Sequence, residues 1–166
     1  MQIYRHSALH LPLIIFGFNA FAPTAQADTP AQAQQAIQKV ADRIAASYES
    51  QDVARFTAGH SSSFVVRNVQ GRTATLRQEQ DTFKRGMKGR KTPLAVHCRV
   101  SQVTVKGSQA AAVLHWSFAD HHARSASVLK YTYERDYDEQ TLWQKSPHGW
   151  VEASADMTRD TVQFKR

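Results

Sequence analysis

The chain has 166 residues, with 21 Lys and Arg against 14 Asp and Glu for a formal charge of +7, and 42% of it is hydrophobic. That length holds one domain with a real core and is short for two. The basic balance speaks to solubility and association and names no nucleic-acid partner, and a single cysteine, Cys98, excludes an intrachain disulfide.

Residues 1–27 read as a cleaved signal peptide. Arg5 and His6 give a basic start, Leu9 to Phe21 is mostly apolar, and Ala25-Gln26-Ala27 offers the small-x-small pattern that signal peptidase cuts. Cleavage is expected before Asp28. A membrane anchor is the weaker reading, because the apolar run falls short of the roughly 20 residues that span a bilayer and contains Pro12. Cys98 lies far from the cleavage site, so no lipid anchor is expected. The expectation is a periplasmic or secreted protein with no stable membrane anchor, no nucleic-acid partner and one domain over residues 28–166.

Thr29-Pro30-Ala31-Gln32 starts a helix, with Thr29 at the N-cap, Pro30 at the first helical position and Gln32 where a capping box needs it. Ala33, Ile37, Val40, Ala41, Ile44, Ala45 and Tyr48 then fall on one stripe, with Gln34, Gln38, Lys39 and Asp42 opposite. A short second helix is expected over Gln51 to Ala58, capped by Ser50, with Val53 and Phe56 inward and Gly59 as its stop. Ser62 to Val69 reads as a strand and Gln70-Gly71 as its turn. Thr75-Leu76-Arg77-Gln78 opens a third helix, whose inner face is Leu76, Gln80, Phe83 and Met87 and whose stop is Gly89 with Thr92-Pro93.

From Leu94 to Met157 apolar and polar residues alternate through three turn signals. A hairpin turning at Gly107-Ser108 pairs Val103 with Ala112. Val96, Cys98 and Val100 match the Leu114, Trp116 and Phe118 face only with an extra residue near Ser101-Gln102, the mark of a β-bulge that bends the sheet. A loop over Asp120 to Arg124 then leads to Leu129, Tyr131, Tyr133 and Tyr137 at period two. In that register Ala112, Leu114 and Trp116 face Tyr133, Tyr131 and Leu129. Ser146-Pro147-His148-Gly149 turns the chain into the strand from Trp150 to Met157.

Helices segregated to one face of a mostly antiparallel sheet make an α+β domain. The phrase from Tyr48 to Phe56, the strand Phe64-Val65-Val66-Arg67-Asn68 and the Leu142 to Trp150 end resemble NTF2-like, or SnoaL-like, domains, over nearly all of residues 28–166. The resemblance implies a cone: a curved sheet wrapped around three N-terminal helices, a pocket at the wide end, and a homodimer through the sheets. Its functions range from isomerases and dehydratases to binding modules, so it supplies no reaction.

The ketosteroid isomerases of this fold use a helix tyrosine, a carboxylate base near the first strand and a second carboxylic acid deeper in the sheet. Here Ile44 matches the tyrosine, Tyr48 sits one turn on, and no Asp or Glu occurs from Val53 to Gln78. Catalytic residues are therefore left unknown, and the only carboxylates or histidine weighed for the cavity are Glu134, Asp136, Asp156 and His60. His97 and His115 fall on the sheet's outer side. Asp120-His121-His122 points its side chains apart, so no metal is expected, and no cofactor either. His60 beside Ser61 to Ser63 lacks a third group to orient it, and Cys98 reads as apolar filler. The basic run Lys84, Arg85, Lys88, Arg90, Lys91 suits a helix C-terminus, with a steering patch for an anionic ligand as the alternative.

Small Ala110 and Ala112 beside large aromatics leave room for an amphipathic small molecule. The candidate ligand-binding residues are Tyr48, Leu114, Trp116, Tyr131 and Tyr133. The leading expectation is an exported domain that binds a hydrophobic or amphipathic molecule. The alternatives are an isomerase or lyase acting on a hydrophobic carbonyl compound, and a structural dimerisation module of the envelope.

Overall fold

The computed structural model describes residues 28–90, 94–122 and 131–165, so the expected signal peptide lies outside the described residues. The order is α1 (Pro30–Ser50), α2 (Val53–Ala58), β1 (His60–Arg67), β2 (Thr73–Thr75), α3 (Leu76–Met87), β3 (Ala95–Lys106), β4 (Gln109–His122), β5 (Tyr131–Ser146) and β6 (Gly149–Lys165). The strands form one six-stranded sheet in the order β2-β1-β6-β5-β4-β3, antiparallel except where β1 runs beside β6. It is a curved, unclosed sheet with the three helices on its inner face, an α+β domain as the chain's pattern implies and the cone that the resemblance implies.

Helix α1 begins as its residues dictate, with Thr29 and Gln32 closing a reciprocal capping box, and it buries Ala33, Ile37, Val40, Ala41, Ile44 and Ala45. Gln34 and Gln38, expected opposite the apolar stripe, reach across to β3, Gln34 from an exposed position and Gln38 from a half-buried one. Gln38 accepts from the Val100 amide at 2.9 Å and donates to the Cys98 carbonyl at 2.9 Å, and Gln34 donates to the Val100 carbonyl at 3.2 Å. Strand β3 is the sheet edge, and these two glutamines satisfy backbone groups that would otherwise stand open to pairing.

The second helix starts later than expected. Ser50 belongs to α1, its hydroxyl donating back to the Ala46 carbonyl at 2.8 Å, and Gln51 ends that helix in the left-handed region at φ 55°. The cap is Asp52, which accepts from the amides of Ala54 and Arg55. Gly59 then lets the chain cross α1, because a Cβ there would lie 2.5 Å from Ile44 Cγ1. Strand β1 opens two residues earlier than expected, at His60, and ends at Arg67, where the Asn68 side chain accepts from the amides of Gln70 and Arg72 and closes the turn. Helix α3 opens with the expected Thr75–Gln78 capping box and buries Phe83 and Met87.

The β3–β4 hairpin has the expected register: Val105 faces Ala110, and Val100, Cys98 and Val96 face Leu114, Trp116 and Phe118. The bulge falls between Ser101 and Thr104, with Gln102 at φ 50°. The β4–β5 register differs. Ala112, Leu114 and Trp116 face Thr141, Glu139 and Tyr137, while Tyr133 and Tyr131 face Asp120 and His122 at the far end of the strands. Hairpin register follows from loop length, and here β4 continues to His122 and β5 starts at Tyr131, so the expected loop at Asp120 is strand and Leu129 lies outside the described residues. The shift preserves parity, so Tyr133 and Tyr137 still face inward, but at the wide end.

The space expected beside Ala110 is therefore filled. Ala110 pairs with Trp143, which is 1% exposed and donates its indole N–H to Thr141 Oγ1 at 2.7 Å. Trp143, Leu114, Ile37 and Val100 pack the narrow end of the cone under α1. Among the described residues no helix is long and apolar enough to cross a membrane.

Candidate functional site

The free space of the cone lies toward its wide end, in two adjoining parts. The outer part is a cleft of about 370 Å³ between α3 and the ends of β4 to β6, walled by Tyr48, Phe83, Phe118, Tyr133, Tyr137 and Phe164. Tyr48, Glu79, Tyr137 and Met157 also line the inner part, a recess of about 50 Å³ whose floor includes His60, Trp116, Glu139 and Glu152. The rings interlock: Tyr48 sits edge-on to Phe118 at 5.3 Å and to Phe56 at 5.9 Å, and Tyr137 stacks on Phe118 at 5.5 Å.

Two glutamates at the floor were not found from the sequence. Glu139 on β5 is 5% exposed and accepts the Trp116 indole N–H at 2.6 Å. Burial raises its carboxyl to about 7, against the lowering effect of the Trp116 hydrogen bond, with the Glu79 charge adding to the rise. Glu152 on β6 is 2% exposed, and one of its oxygens, Oε1, has no hydrogen-bond partner. Burial, and then the Glu139 charge, hold Glu152 well above the usual carboxylate range.

His60 faces the same floor, its Nδ1 donating to the Phe56 carbonyl at 2.8 Å and its Nε2 lying 3.6 Å from Glu152 Oε2. Burial lowers its imidazole to about 4. With the histidine kept neutral and Glu152 kept protonated, this approach is the facing of two neutral groups and not an ion pair. Burial likewise pushes the hydroxyls of Tyr48 and Tyr137 up. The floor at neutral pH is thus a set of uncharged hydrogen-bonding groups around one carboxyl that changes charge there.

The rim is charged. Arg90 donates to Asp120 at 2.5 Å, and its Nε also donates to the Gly86 carbonyl at the end of α3. Arg135 grips Asp160 with two parallel bonds of 2.8 and 2.9 Å while its guanidinium lies 4.9 Å from the centre of the Tyr137 ring. Of the basic run, Lys84, Arg85 and Lys88 are exposed, Arg90 turns to the rim, and Lys91 lies outside the described residues.

The cavity brings together three of the residues singled out earlier. Tyr48 lines both parts, Trp116 the recess and Tyr133 the cleft. Leu114 is 0% exposed in the core and lines neither part, and the Tyr131 side chain lies outside the described residues. Among the carboxylates weighed for the cavity, Asp156 pairs with Arg67, and Glu134 and Asp136 lie beside His97 on the outer face. The signal for Glu139 was the period-two run Tyr137, Glu139, Thr141, Trp143, in which a polar residue shares parity with aromatics. Among the described residues no group of three or more His, Cys, Asp or Glu side chains could hold a metal ion.

The chain matches no protein-family model and no curated protein. Solved structures do resemble it. A conserved protein from Planctomyces limnophilus superposes with a TM-score of 0.65 at 10% identity, over 78% of this chain and 96% of that one. An NTF2-like superfamily protein from Salmonella enterica gives 0.60 at 16% identity, over 78% and 92%. A protein from Streptomyces avermitilis, provisionally described as a dehydratase of the NTF2-like family, gives 0.59 at 12% identity, over 78% and 97%. At such identities the likeness is one of fold, and by that measure the chain is a cone-shaped domain of the NTF2-like fold.

Proposed function

We propose that the protein binds a small, largely apolar molecule in the cleft, with a neutral polar end directed into the recess toward Glu139 and Glu152. The observation that carries this reading is the buried Glu152 Oε1, which lacks a hydrogen-bond partner at the floor of an aromatic cleft. An unsatisfied buried oxygen destabilises the free protein, and a ligand hydroxyl or carbonyl that meets the Glu152 carboxyl relieves it. Gly86 adds support. It lies inside α3 and lines the cleft, and a Cβ there would meet nothing within 4 Å. Glycine inside a helix is destabilising by roughly 0.5–1 kcal/mol relative to alanine, so its presence is understandable if the space beside it is used.

The test is a thermal-shift screen of small aromatic and alicyclic carbonyl and hydroxyl compounds, repeated on Gly86→Trp. Compounds that raise the unfolding temperature of the wild type are expected to lose that effect when the indole fills the cleft. Hits that stabilise both proteins equally would refute the cleft as the site.

A second reading is proton transfer on a hydrophobic carbonyl compound. A carboxyl near 7 is matched to general base work at neutral pH, and the protonated Glu152 is a donor for a developing oxyanion. The provisional description of the Streptomyces avermitilis protein as a dehydratase is in keeping with it. Under this reading Glu139→Gln abolishes turnover of a bound compound while leaving its affinity within a few-fold; retained turnover counts against it. Export, with cleavage before Asp28, completes the proposal.

A further inference from the structure

The outer face of the sheet carries an arrangement independent of the cone. His115 on β4 faces Arg99 on β3 and Asp138 on β5, and Ser101 follows two residues along β3, opposite Val113. Strand alternation sends Ser101, His115 and Asp138 to the side away from the helices. There Ser101 Oγ lies 3.1 Å from His115 Nε2, and His115 Nδ1 lies 2.7 Å from Asp138 Oδ1. Nδ1 carries the hydrogen it gives to a carboxylate, which leaves Nε2 to accept from the Ser101 hydroxyl, whose other acceptor within reach is the Val113 carbonyl at 3.3 Å. Arg159 donates to both Asp138 oxygens, at 2.7 and 3.1 Å. Its hydrogen bonds, followed by that of His115, lower the Asp138 carboxyl to about 2 and keep it ionised.

Two more features converge on Ser101. The bulge begins at this residue, and Gln102 beside it holds a left-handed φ of 50° that a non-glycine residue seldom adopts. A bulge takes its extra residue out of the ladder, so the backbone just after the serine departs from regular strand pairing. Alongside runs a groove of about 300 Å³ lined by Gln102, Ala111, Val113, Gln140 and Leu142, the last 56% exposed.

We infer that Ser101, His115 and Asp138 form a nucleophilic site for small esters whose short apolar acyl group sits in this groove. The Ser101 oxygen attacks the ester carbonyl as its proton passes to His115 Nε2, while Nδ1–H stays on Asp138. Collapse expels the alcohol, which takes that proton. Water, deprotonated by the same imidazole, then cleaves the acyl-serine, releasing the carboxylic acid and restoring the hydroxyl.

The experiment uses the folded full-length protein at submicromolar concentration with a fluorophosphonate probe, and separately with p-nitrophenyl butyrate. The expected result is one adduct per chain, located on Ser101 by peptide mass spectrometry, together with ester turnover. Ser101→Ala should remove the adduct and reduce turnover to that of free imidazole, with an unchanged urea midpoint. His115→Gln should slow labelling by about 100-fold or more, the scale of a lost general base. No adduct on the wild type, an adduct on another residue, or turnover unaffected by Ser101→Ala would overturn the inference. None of these outcomes depends on the cleft inside the cone.

Discussion

Glu139 and His60 sit on one floor and make the protein's stability depend on pH in opposite directions. The Glu139 carboxyl is raised from 4.5 to about 7, so the folded state keeps a proton that the unfolded chain releases. Its contribution is full below pH 4.5 and is lost as pH rises through 7, a change of about 3 kcal/mol. The His60 imidazole is lowered from 6.5 to about 4, so its contribution is full above pH 6.5 and is lost as pH falls through 4. Between those limits the two offset each other, and Glu152, also raised by burial, adds a further loss with rising pH, so the wild-type stability is expected to fall as pH rises above 4.5. Glu139→Gln keeps an acceptor for Trp116 and removes one titration. Urea unfolding across pH 4 to 8 should show the variant gaining on the wild type by about 3 kcal/mol from pH 4.5 upward, and a constant difference would contradict the burial argument. Trp116→Phe removes the indole donor at 2.6 Å, so the Glu139 titration should move further up when followed by carboxyl-labelled NMR.

At the scale of elements, the edge strand β3 depends on α1 for more than apolar contact. Gln38 serves two backbone groups of β3 at once, on either side of Arg99. Gln38→Ala is expected to be destabilising by about 1–3 kcal/mol, since it leaves partly buried peptide groups unpaired, and to increase light scattering on heating by exposing a sheet edge. An unchanged urea midpoint would mean that water replaces the side chain without loss.

This contact was not legible in the sequence, because Gln34 and Gln38 sit opposite the apolar stripe and their partners lie on a strand about 60 residues on, beyond any local pattern. The capping boxes at Thr29 and Thr75 and the bulge at Gln102 were legible, since each is a local device: a reciprocal hydrogen bond three residues apart, or a change in the parity of apolar residues. The β4–β5 register was not. It depends on where β4 ends, and Asp120 read as the start of a loop, whereas Arg90 holds it buried in the strand. That one assumption moved the partner of Trp116 from Tyr137 to Leu129 and hid Glu139 from the cavity.

For the whole molecule, the cone is filled at its narrow end by Trp143 and Leu114 and open at its wide end, where the ionisable groups collect. The proposed export is checked by N-terminal sequencing of protein recovered from the cell envelope, which should begin at Asp28; intact Met1 would contradict it. Asp28 has work in the fold, accepting from Lys145 at 2.7 Å and from the Trp150 indole at 2.9 Å across the β5–β6 hairpin. The central claim is that the cleft and its recess receive one molecule, and a crystal structure of the protein with a compound selected by thermal shift tests it most directly. The account predicts that the apolar body lies between Tyr48, Phe118 and Tyr137, with a hydroxyl or carbonyl oxygen within hydrogen-bonding distance of Glu152 or Glu139. A compound found instead on the outer face, or in the cleft with its polar end turned to the Arg90 and Arg135 rim, would contradict it.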